Sequence, residues 1–379
     1  MIDDLDYKLI NTPFSDTRHA SSPPIYQTVT HNVDIEGDEH SQYLYSRLAN
    51  PTTDILAKQL ALLDEAKYCF PVSSGLTAIN LVFSLLNEND SIVIGEDIYG
   101  GTDKIIEYYK QYKNLNVFTV DTTNLTELED CLKENTVRFV WLETPSNPLQ
   151  IISDIQAIAD LAKQYNSLLV VDNSFLSSYL QKPLSYGADI SLQSLTKHIG
   201  GFSDVIGGCI ATNDKKLGHQ LKQLVINDGS LLAPHSAWLF LRSLKTLSLR
   251  IRQQQASAEF IAEYLDQHDL VKACFYPSLD SKHNRIHTSQ ASGFGSVVSF
   301  VPNSYEMAVN IIHQSKDVMK VTASFGSAST TISMPSLMSH RKIFTTRSRS
   351  QPFDPALIRL SVGIEDPEVI KKMLQNVLR

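Results

Sequence analysis

The chain alternates between short apolar runs and stretches whose apolar residues recur every three or four positions. The runs at 91–94, 137–142 and 167–172 are mostly apolar and only a few residues long, which is typical of strands buried on both faces. The stretches at 76–86 and 155–165 have the spacing of amphipathic helices. Because strands and helices alternate, the pattern predicts an α/β fold with a mostly parallel sheet and helices on both faces.

The two ends of the chain differ from this middle part. Residues 1–50 contain several prolines and many hydroxyl side chains without periodicity, which predicts an N-terminal arm that contacts a neighbouring subunit. Residues 51–240 predict the large α/β domain. A long helical stretch at 237–264 leads into residues 241–379, where a strand at 295–301 and a final helix at 368–378 predict a smaller α+β domain.

Composition excludes several classes of partner. The net charge is −8 at pH 7 and no stretch is rich in lysine and arginine, so we expect no nucleic-acid partner. The longest apolar runs are too short to cross a membrane, so we expect no membrane partner. The first residues lack the basic and apolar regions of a signal peptide, which predicts a cytoplasmic protein.

The cysteines and histidines do not form a metal-binding pattern. The four cysteines are scattered without CxxC spacing, which argues against a disulfide framework and against a zinc site. His283 and His287 are four positions apart, but no HExxH motif accompanies them and their surroundings predict a surface loop. We therefore expect no bound metal.

Lys197 and Asp172 are the first candidates for chemistry. Lys197 follows a predicted strand at 188–192 and lies in the motif SLTKHIGG at 194–201. A lysine in this position suits a nucleophile that forms a Schiff base, because burial beside a cationic ring lowers the pKa of its amine. A solvated surface lysine is the alternative. Asp172 closes the strand at 167–172, where its carboxylate can pair with a protonated pyridine nitrogen or cap a following helix.

Two glycine-containing motifs suit a flat, phosphorylated ligand. SSGL at 73–76 precedes a predicted helix, whose free N–H groups and dipole favour a phosphate, although an ordinary serine cap has the same pattern. YGGT at 99–102 places an aromatic ring beside a tight turn, where it can cover a flat ligand. The motifs GxGxxG after a strand and GxxxxGK[ST] are absent, which argues against a nicotinamide dehydrogenase and a P-loop nucleotidase.

Arg359 lies within an apolar stretch at 357–363 that is typical of a buried strand. A buried arginine is costly without an anionic partner. A substrate carboxylate held in a bidentate pair would supply that partner, and an internal salt bridge is the alternative.

Taken together, these motifs resemble those of the Cys/Met-metabolism family of pyridoxal 5′-phosphate (PLP) enzymes, which includes cystathionine γ-synthase and the cystathionine β- and γ-lyases. The resemblance covers nearly the whole chain and is most specific at 189–208. It rests on these segments in family order: PIYQT at 24–28, YSR at 45–47, ETPSNP at 143–148, DNSF at 172–175, SLTKHIGGFSDV at 194–205 and RLSVGIE at 359–365.

The resemblance implies a role for each matching residue. Lys197 would bind PLP covalently and later move protons, Asp172 would pair with the ring nitrogen, and Tyr99 would stack on the ring. The implied phosphate ligands are Gly75, Leu76, Ser194 and Thr196, joined from a neighbouring subunit by Tyr45 and Arg47; the implied ligands of the substrate carboxylate are Asn147 and Arg359. The implied fold is that of aspartate aminotransferase (fold type I), and the implied assembly is a homo-oligomer, usually a dimer of dimers.

The sequence departs from the family pattern at positions associated with substrate choice. GSAST at 326–330 replaces the common Gly-Gly-x-Glu-Ser, so that Ser329 replaces a residue that is often glutamate, while Thr330 keeps the hydroxyl. Lys104 replaces a common arginine and cannot form its bidentate fork. We therefore expect Ser329, Thr330 and Lys104 to face the substrate and to discriminate weakly in favour of cystathionine.

The favoured function is a PLP-dependent carbon–sulfur lyase that acts on cystathionine or a related sulfur amino acid by β- or γ-elimination. A γ-replacement on an O-acyl-homoserine, as in cystathionine γ-synthase, uses the same residues and stays open. An aminotransferase of the same fold is a further alternative, from which the YSR and YGGT motifs point away.

Overall fold

The computed structural model describes residues 4–15, 19–32, 43–281, 283–338 and 354–379. Within them the helices are α1 (Leu5–Ile10), α2 (Pro51–Asp64), α3 (Gly75–Phe83), α4 (Gly100–Lys113), α5 (Leu125–Glu134), α6 (Ile155–Gln164), α7 (Ser177–Leu180), α8 (Lys215–Asp228), α9 (Pro234–Leu244), α10 (Leu247–Asp266), α11 (Asn284–Gln290), α12 (Tyr305–Ser315) and α13 (Pro367–Val377). The strands are β1 (Tyr68–Val72), β2 (Ser91–Gly95), β3 (Asn116–Val120), β4 (Phe139–Glu143), β5 (Leu168–Asp172), β6 (Ile190–Gln193), β7 (Gly208–Thr212), β8 (Val271–Phe275), β9 (Val297–Pro302), β10 (Lys320–Val321), β11 (Thr331–Ser333) and β12 (Ile358–Ser361). None of these helices is long and apolar enough to span a bilayer.

The first sheet has seven strands in the order β1-β7-β6-β5-β4-β2-β3. Neighbouring strands from β6 to β3 are parallel, while β7 is antiparallel to both of its neighbours. Successive side chains of β2 point to opposite faces: Ile92 and Ile94 pack with α3, α4 and α8, and Val93 packs with α5 and α6. The predicted mostly parallel sheet with helices on both faces is therefore confirmed.

The second sheet has five strands in the order β10-β11-β12-β9-β8, and all of its pairs except β10 with β11 are antiparallel. Its apolar face packs against α10, α12 and α13 in a core of its own. This is the smaller α+β part that the sequence predicts. The domain boundaries at 50 and 240 stay predictions.

The loop after β4 joins the two parts of the molecule. The side-chain amide of Gln150 donates to the carbonyls of Phe275 at 2.8 Å and Val297 at 2.9 Å. The amide of Gln290 donates to the carbonyl of Ser153 at 2.9 Å. These buried hydrogen bonds hold the ends of the parallel strands next to the second sheet.

Two predictions about helices are wrong. The arm predicted to be irregular contains α1, whose first turn is capped because the Asp4 carboxylate accepts from the Tyr7 amide at 2.7 Å. The stretch at 237–264 is not one helix, since α9 ends at Leu244 and α10 begins at Leu247. The buried guanidinium of Arg250 donates to the Ser243 carbonyl at 3.1 Å and thereby binds a carbonyl at the end of α9.

The prediction that His287 lies on a surface loop is also wrong. His287 is in α11 and fully buried, and its Nε2 donates to the Gly293 carbonyl at 2.9 Å while its ring stacks on Phe294. The side chain fills the core rather than facing solvent. Within the described residues no group of three or more histidine, cysteine or acidic side chains could hold a metal ion.

Candidate active site

A cavity of about 550 Å³ lies at the carboxyl ends of the parallel strands, where open α/β sheets bind ligands. Loops after β1, β2, β4, β5 and β6 form most of its wall, and residues near the second sheet close it. It contains most of the site residues predicted from the sequence, which are Gly75, Leu76, Tyr99, Lys104, Asn147, Asp172, Ser194, Thr196, Lys197 and Arg359.

Lys197 lies four positions after the end of β6 and projects its amine into the cavity. Nζ donates to Ser324 Oγ at 2.9 Å and lies 4.9 Å from the centre of the Phe325 ring. Burial, and then the nearby Arg359, lower the pKa of Lys197 to about 8, against the opposing charge of Asp172. The neutral form, which can act as a nucleophile or base, is therefore far more populated near neutral pH than in an ordinary lysine.

Asp172 ends β5 and is 8% exposed at the base of the cavity. Its Oδ1 accepts from the Ser174 amide at 3.0 Å, and burial raises its pKa. No helix begins at residue 173, and the N-cap position of α7 belongs to Leu176. Asp172 is therefore not a helix cap in this structure.

The amino end of α3 and the loop after β6 form a narrow cradle. A Cβ atom at Gly75 would lie 2.8 Å from Ser194 Cβ, and one at Gly208 would lie 2.3 Å from the Ser74 carbonyl oxygen. Real Cβ atoms do not approach so closely, so the backbone reaches the cradle only because these residues are glycines. The Ser74 hydroxyl caps the amide of Thr77, whereas Gly75 and Leu76, whose amides have no intrahelical acceptor, line the cavity and suit a phosphate.

Arg359 lies on β12 and is 1% exposed, yet it reaches the cavity. Nη1 donates to Asn147 Oδ1 at 2.8 Å, and Nη2 donates to the carbonyls of Ala323 at 3.4 Å and Ser324 at 3.1 Å. Among the described residues, Nε has no hydrogen-bond partner and no carboxylate forms an ion pair with the guanidinium. Burial lowers the pKa of Arg359 to about 10, so it is cationic at neutral pH and free to bind a carboxylate.

Tyr99 immediately precedes α4, and its ring packs back against Gly101, where a Cβ atom would lie 2.3 Å from ring atom Cε1. The ring borders the cavity and is 41% exposed. Lys104 lies in the first turns of the same helix and also lines the cavity. Burial, and then the charges of Asp172 and Glu143, raise the pKa of Tyr99, while the charge of the nearby Arg359 opposes them.

Four predicted residues do not line this cavity, namely Ser329, Thr330, Tyr45 and Arg47. Thr330 uses its amide and hydroxyl to bind the Glu365 carboxylate, both at 2.8 Å, and Ser329 lies beside it. The expectation that both face the substrate stays a prediction, and in this structure Thr330 binds Glu365 instead of lining the cavity. Tyr45 and Arg47 lie elsewhere on the surface, where Arg47 donates to the Ile226 carbonyl at 3.2 Å.

Sequence reasoning missed several residues of the site. Glu143 ends β4 as Asp172 ends β5, so the rule that identified Asp172 could also have identified Glu143. Ser324 and Phe325 come from the loop between β10 and β11, and no local motif connects them with Lys197. His198 follows Lys197 but is no proton carrier at neutral pH, since burial lowers its pKa to about 3.

The residues of the cavity fit the PLP that the resemblance implies. The close packing at Gly75 and Gly208 leaves no room for a side chain, and the hydroxyls of Ser194 and Thr196, which line the cavity with Gly75, suit a phosphate. Asp172, a buried carboxylate, suits a protonated ring nitrogen. The Nε of Arg359 without a partner suits the carboxylate of an amino acid.

Comparison with known proteins agrees with this chemistry. A profile of the Cys/Met metabolism PLP-dependent enzymes matches residues 8–379. The chain is 40% identical to chloroplastic mimosinase of Mimosa pudica, over 96% of this chain and 82% of that protein, and 40% identical to chloroplastic cystathionine beta-lyase of Arabidopsis thaliana, over 92% and 74%. A crystal structure of cystathionine gamma synthase from Xanthomonas oryzae pv. oryzae, with aminoacrylate and cysteine, superposes with a TM-score of 0.94 at 34% identity, over 100% of this chain and 98% of that one.

Proposed function

This chain belongs to the Cys/Met metabolism family of PLP-dependent enzymes, and we propose that it cleaves the carbon–sulfur bond of cystathionine or a related sulfur amino acid. The predicted family, the aspartate aminotransferase-like fold and the cofactor PLP are confirmed by that membership. The observation that carries the proposal is one cavity with a lysine amine of lowered pKa beside a buried, cationic arginine.

Arg359 would hold the α-carboxylate of the substrate. Its guanidinium is already oriented by Asn147 and by the carbonyls of Ala323 and Ser324, so little side-chain freedom is lost on binding. A carboxylate can accept two parallel hydrogen bonds from such a fork, which directs the rest of the amino acid toward Lys197. The substrate class is therefore proposed to be an L-amino acid gripped at its common end.

Lys197 would bind the cofactor and then carry the proton of the substrate Cα. When bound, PLP withdraws electrons from the bonds at that carbon. The neutral amine of Lys197 would remove the proton, and Ser324 Oγ, 2.9 Å from Nζ, would hold the amine in place between proton transfers. The departing sulfur then leaves from Cβ, or from Cγ after a second proton transfer.

The other predicted residues would hold the cofactor. Asp172 would pair with the ring nitrogen and Tyr99 would cover the ring. The N–H groups of Gly75 and Leu76 and the hydroxyls of Ser194 and Thr196 would bind the phosphate, as the helix dipole at the amino end of α3 favours. Lys104, which also lines the cavity, would face the distal end of the substrate.

Cystathionine γ-synthase activity is the second candidate. The high structural similarity to the Xanthomonas synthase supports this candidate. The residues of the site are compatible with both reactions, because elimination and γ-replacement need the same lysine, aspartate and arginine. The two reactions differ in whether a thiol nucleophile is held next to Cγ.

The proposal includes a homo-oligomer. It is at least a dimer and, by resemblance to the family, a dimer of dimers. Tyr45 and Arg47 lie outside the cavity of their own chain, and the cavity mouth leaves large apolar side chains exposed, with Ile206 at 63% and Leu76 at 45%. A second copy that covers this mouth would bury those side chains and bring its Arg47 to the phosphate. A cytoplasmic location also stays a proposal.

The decisive experiment is an incubation of the PLP-loaded enzyme with cystathionine, cysteine, homocysteine, and O-acyl-homoserine plus cysteine, with products identified by mass spectrometry. A 2-oxo acid, ammonia and a thiol from cystathionine support the lyase. Cystathionine formed from the ester and cysteine supports the synthase. If the enzyme exchanges amino groups with an added 2-oxo acid and cleaves none of these compounds, both candidates are wrong.

A further inference from the structure

Glu143 lies beside Asp172 but has no part in the function proposed above. It is the last residue of β4, and it pairs in register with Asp172, the last residue of the neighbouring parallel strand β5. Both carboxylates line the cavity. A second carboxylate next to the one that pairs with the ring nitrogen is unfavourable unless something else stabilises it.

The stabilising contacts come from α4. Both oxygens of Glu143 lie 3.0 Å from the backbone nitrogen of Tyr99, and Oε1 lies 3.4 Å from the Thr102 hydroxyl. Tyr99 occupies the N-cap position of α4 but has no side chain that can cap the helix. Glu143, 44 positions away in sequence, accepts from the amide of the N-cap residue itself, as the glutamate of a capping box does, and a carboxylate at a helix amino end is favoured by the helix dipole.

This contact holds the backbone of the residue whose ring borders the cavity. With the Tyr99 amide held by Glu143 and the ring packed against Gly101, the side chain has little freedom to swing away from the cavity. Lys104 follows one turn later on the same helix and also lines the cavity. Any loosening of the first turn of α4 therefore moves two wall residues at once.

We propose that Glu143 is a positioning residue, which caps α4 from the neighbouring strand and so holds the Tyr99 ring where a flat phosphorylated ring must bind. The inference rests on the proposed function only through the stacking role of Tyr99. It does not depend on which bond of the substrate is cleaved.

The hydrogen-bond acceptor, rather than the negative charge, is what this role requires. Burial, and then the charges of Asp172 and Asp97, raise the pKa of Glu143, so that its charge is disfavoured in the cavity. A glutamine keeps a side-chain oxygen at the same distance from the backbone. Glu143→Gln should therefore preserve the cap, and Glu143→Ala should remove it.

The test measures ligand binding to cofactor-free protein with pyridoxamine 5′-phosphate, which has the ring and phosphate of PLP but forms no bond with lysine. Glu143→Ala should weaken binding about tenfold, the typical effect of losing one hydrogen bond to a charged or strongly polar acceptor. Glu143→Gln should stay within about threefold of wild type, since an amide oxygen still accepts from the Tyr99 amide.

A double-mutant cycle with Tyr99→Ala separates positioning from a direct contact. If Glu143 acts through Tyr99, Glu143→Ala should have almost no further effect on affinity in the Tyr99→Ala background. Fully additive losses, or a Glu143→Gln variant that binds as weakly as Glu143→Ala, would overturn the proposal.

Hydrogen exchange supplies a measurement that does not need ligand. The Tyr99 and Asp103 amides should exchange faster in Glu143→Ala than in wild type and Glu143→Gln, while amides of α13 should be unchanged. If Glu143→Ala does not fold, Glu143→Gln still tests the proposal. This variant must keep slow exchange at the Tyr99 and Asp103 amides and near-normal affinity for pyridoxamine 5′-phosphate. The binding and exchange measurements use no substrate, so their results do not depend on whether the enzyme is active in the lyase assay. Each of the two proposals can therefore be contradicted without the other.

Discussion

At the scale of single residues, the key relationship is between Lys197 and Arg359. Ser324 Oγ accepts from Lys197, the Ser324 carbonyl accepts from Arg359, and the Phe325 ring lies about equally far from both, at 4.9 Å from Nζ and 5.2 Å from Cζ. Two cations held near one aromatic ring repel each other, which favours the neutral form of the lysine. The loop between β10 and β11 thus contacts both the Lys197 amine and the Arg359 guanidinium.

The pKa of Lys197 can be measured in cofactor-free protein. Reductive methylation of Lys197, followed by mass spectrometry of the peptide, should rise with pH around a midpoint near 8, because only the neutral amine reacts. Arg359→Gln removes the second cation and should move this midpoint upward. A midpoint near 10.5, the ordinary value for lysine, would contradict the burial and the cation repulsion on which the mechanism depends.

At the scale of elements, the close approach of β7 to the amino end of α3 forms the phosphate cradle. Gly208 begins β7, and its Cα faces the Ser74 carbonyl that opens α3. The backbone of the strand therefore sets the height of the helix end above the sheet.

Gly208→Ala should separate these two elements. The added methyl group would lie 2.3 Å from the Ser74 oxygen, so α3 must shift, and we expect a loss of stability of roughly 1–3 kcal/mol together with weaker binding of PLP. Gly95→Ala is the matched control, because its methyl group would meet Thr122 at an ordinary 3.4 Å. Thermal unfolding and fluorescence titration with PLP would check both, and equal effects of the two variants would refute this account of the cradle.

A second interaction between elements is a buried carboxylate beneath the first sheet. Asp64 ends α2 and accepts from Ser178 of α7 at 2.7 Å and Ser191 of β6 at 3.2 Å. Burial raises its pKa to about 6 against these hydrogen bonds, from an ordinary value of 3.8. The folded protein therefore binds this proton more tightly than the unfolded chain does.

The sign of the resulting pH dependence follows from linkage. Asp64 stabilises the fold most below pH 3.8, and this contribution is lost as the pH rises from 3.8 through about 6, by an amount on the order of 3 kcal/mol. Asp64→Asn removes the titration, so its unfolding free energy relative to wild type should increase over that pH range and then become constant. Denaturant unfolding of both proteins at pH 4.5 and pH 7.5 measures it, and a difference that does not change with pH would contradict the raised pKa.

At the scale of the whole molecule, the cavity has walls from both sheets and an exposed apolar mouth. The loop after β4 is fastened to the second sheet by Gln150, and Asn147 in that loop is bonded to Arg359. The relative position of the two parts thus sets the distance between Arg359 and the side chains at the ends of the parallel strands.

Complementation tests whether the assembly completes the site. Lys197→Ala and Arg47→Ala should each be nearly inactive, and subunits mixed after reversible dissociation should recover about one quarter of wild-type activity, since half of the dimers are hybrids with one intact site of two. Light scattering should report an oligomer for wild type. A fully active monomer, or mixtures without recovered activity although hybrids form, would contradict a shared site.

Much of this molecule could be predicted because its local signals are strong. Buried strands and amphipathic helices in alternation predict the first sheet, and the polar residues at strand ends, Asp172 and Lys197, predict the edge at which the cavity lies. The break between α9 and α10 could not be predicted in the same way, because the Arg250 side chain that binds the Ser243 carbonyl also donates to the carbonyls of His198 and Ile199, which are 52 and 51 positions away. The motif predicts that Ser329 and Thr330 face the substrate, but it does not predict the hydrogen bonds of Thr330 to Glu365, which lies 35 positions away.

By itself, the sequence determined the fold class, the family, the cofactor and the lysine, since each depends on periodicity or on motifs of neighbouring residues. Only the tertiary structure decided which side chains surround the reacting groups: Ser324 and Phe325 at Lys197, Asn147 at Arg359, and Glu143 beneath Tyr99. These contacts join residues far apart in the chain, and no local pattern encodes them. The lowered pKa of Lys197 arises from burial and from a charge 162 positions away in sequence, and so it exists only once the chain has folded.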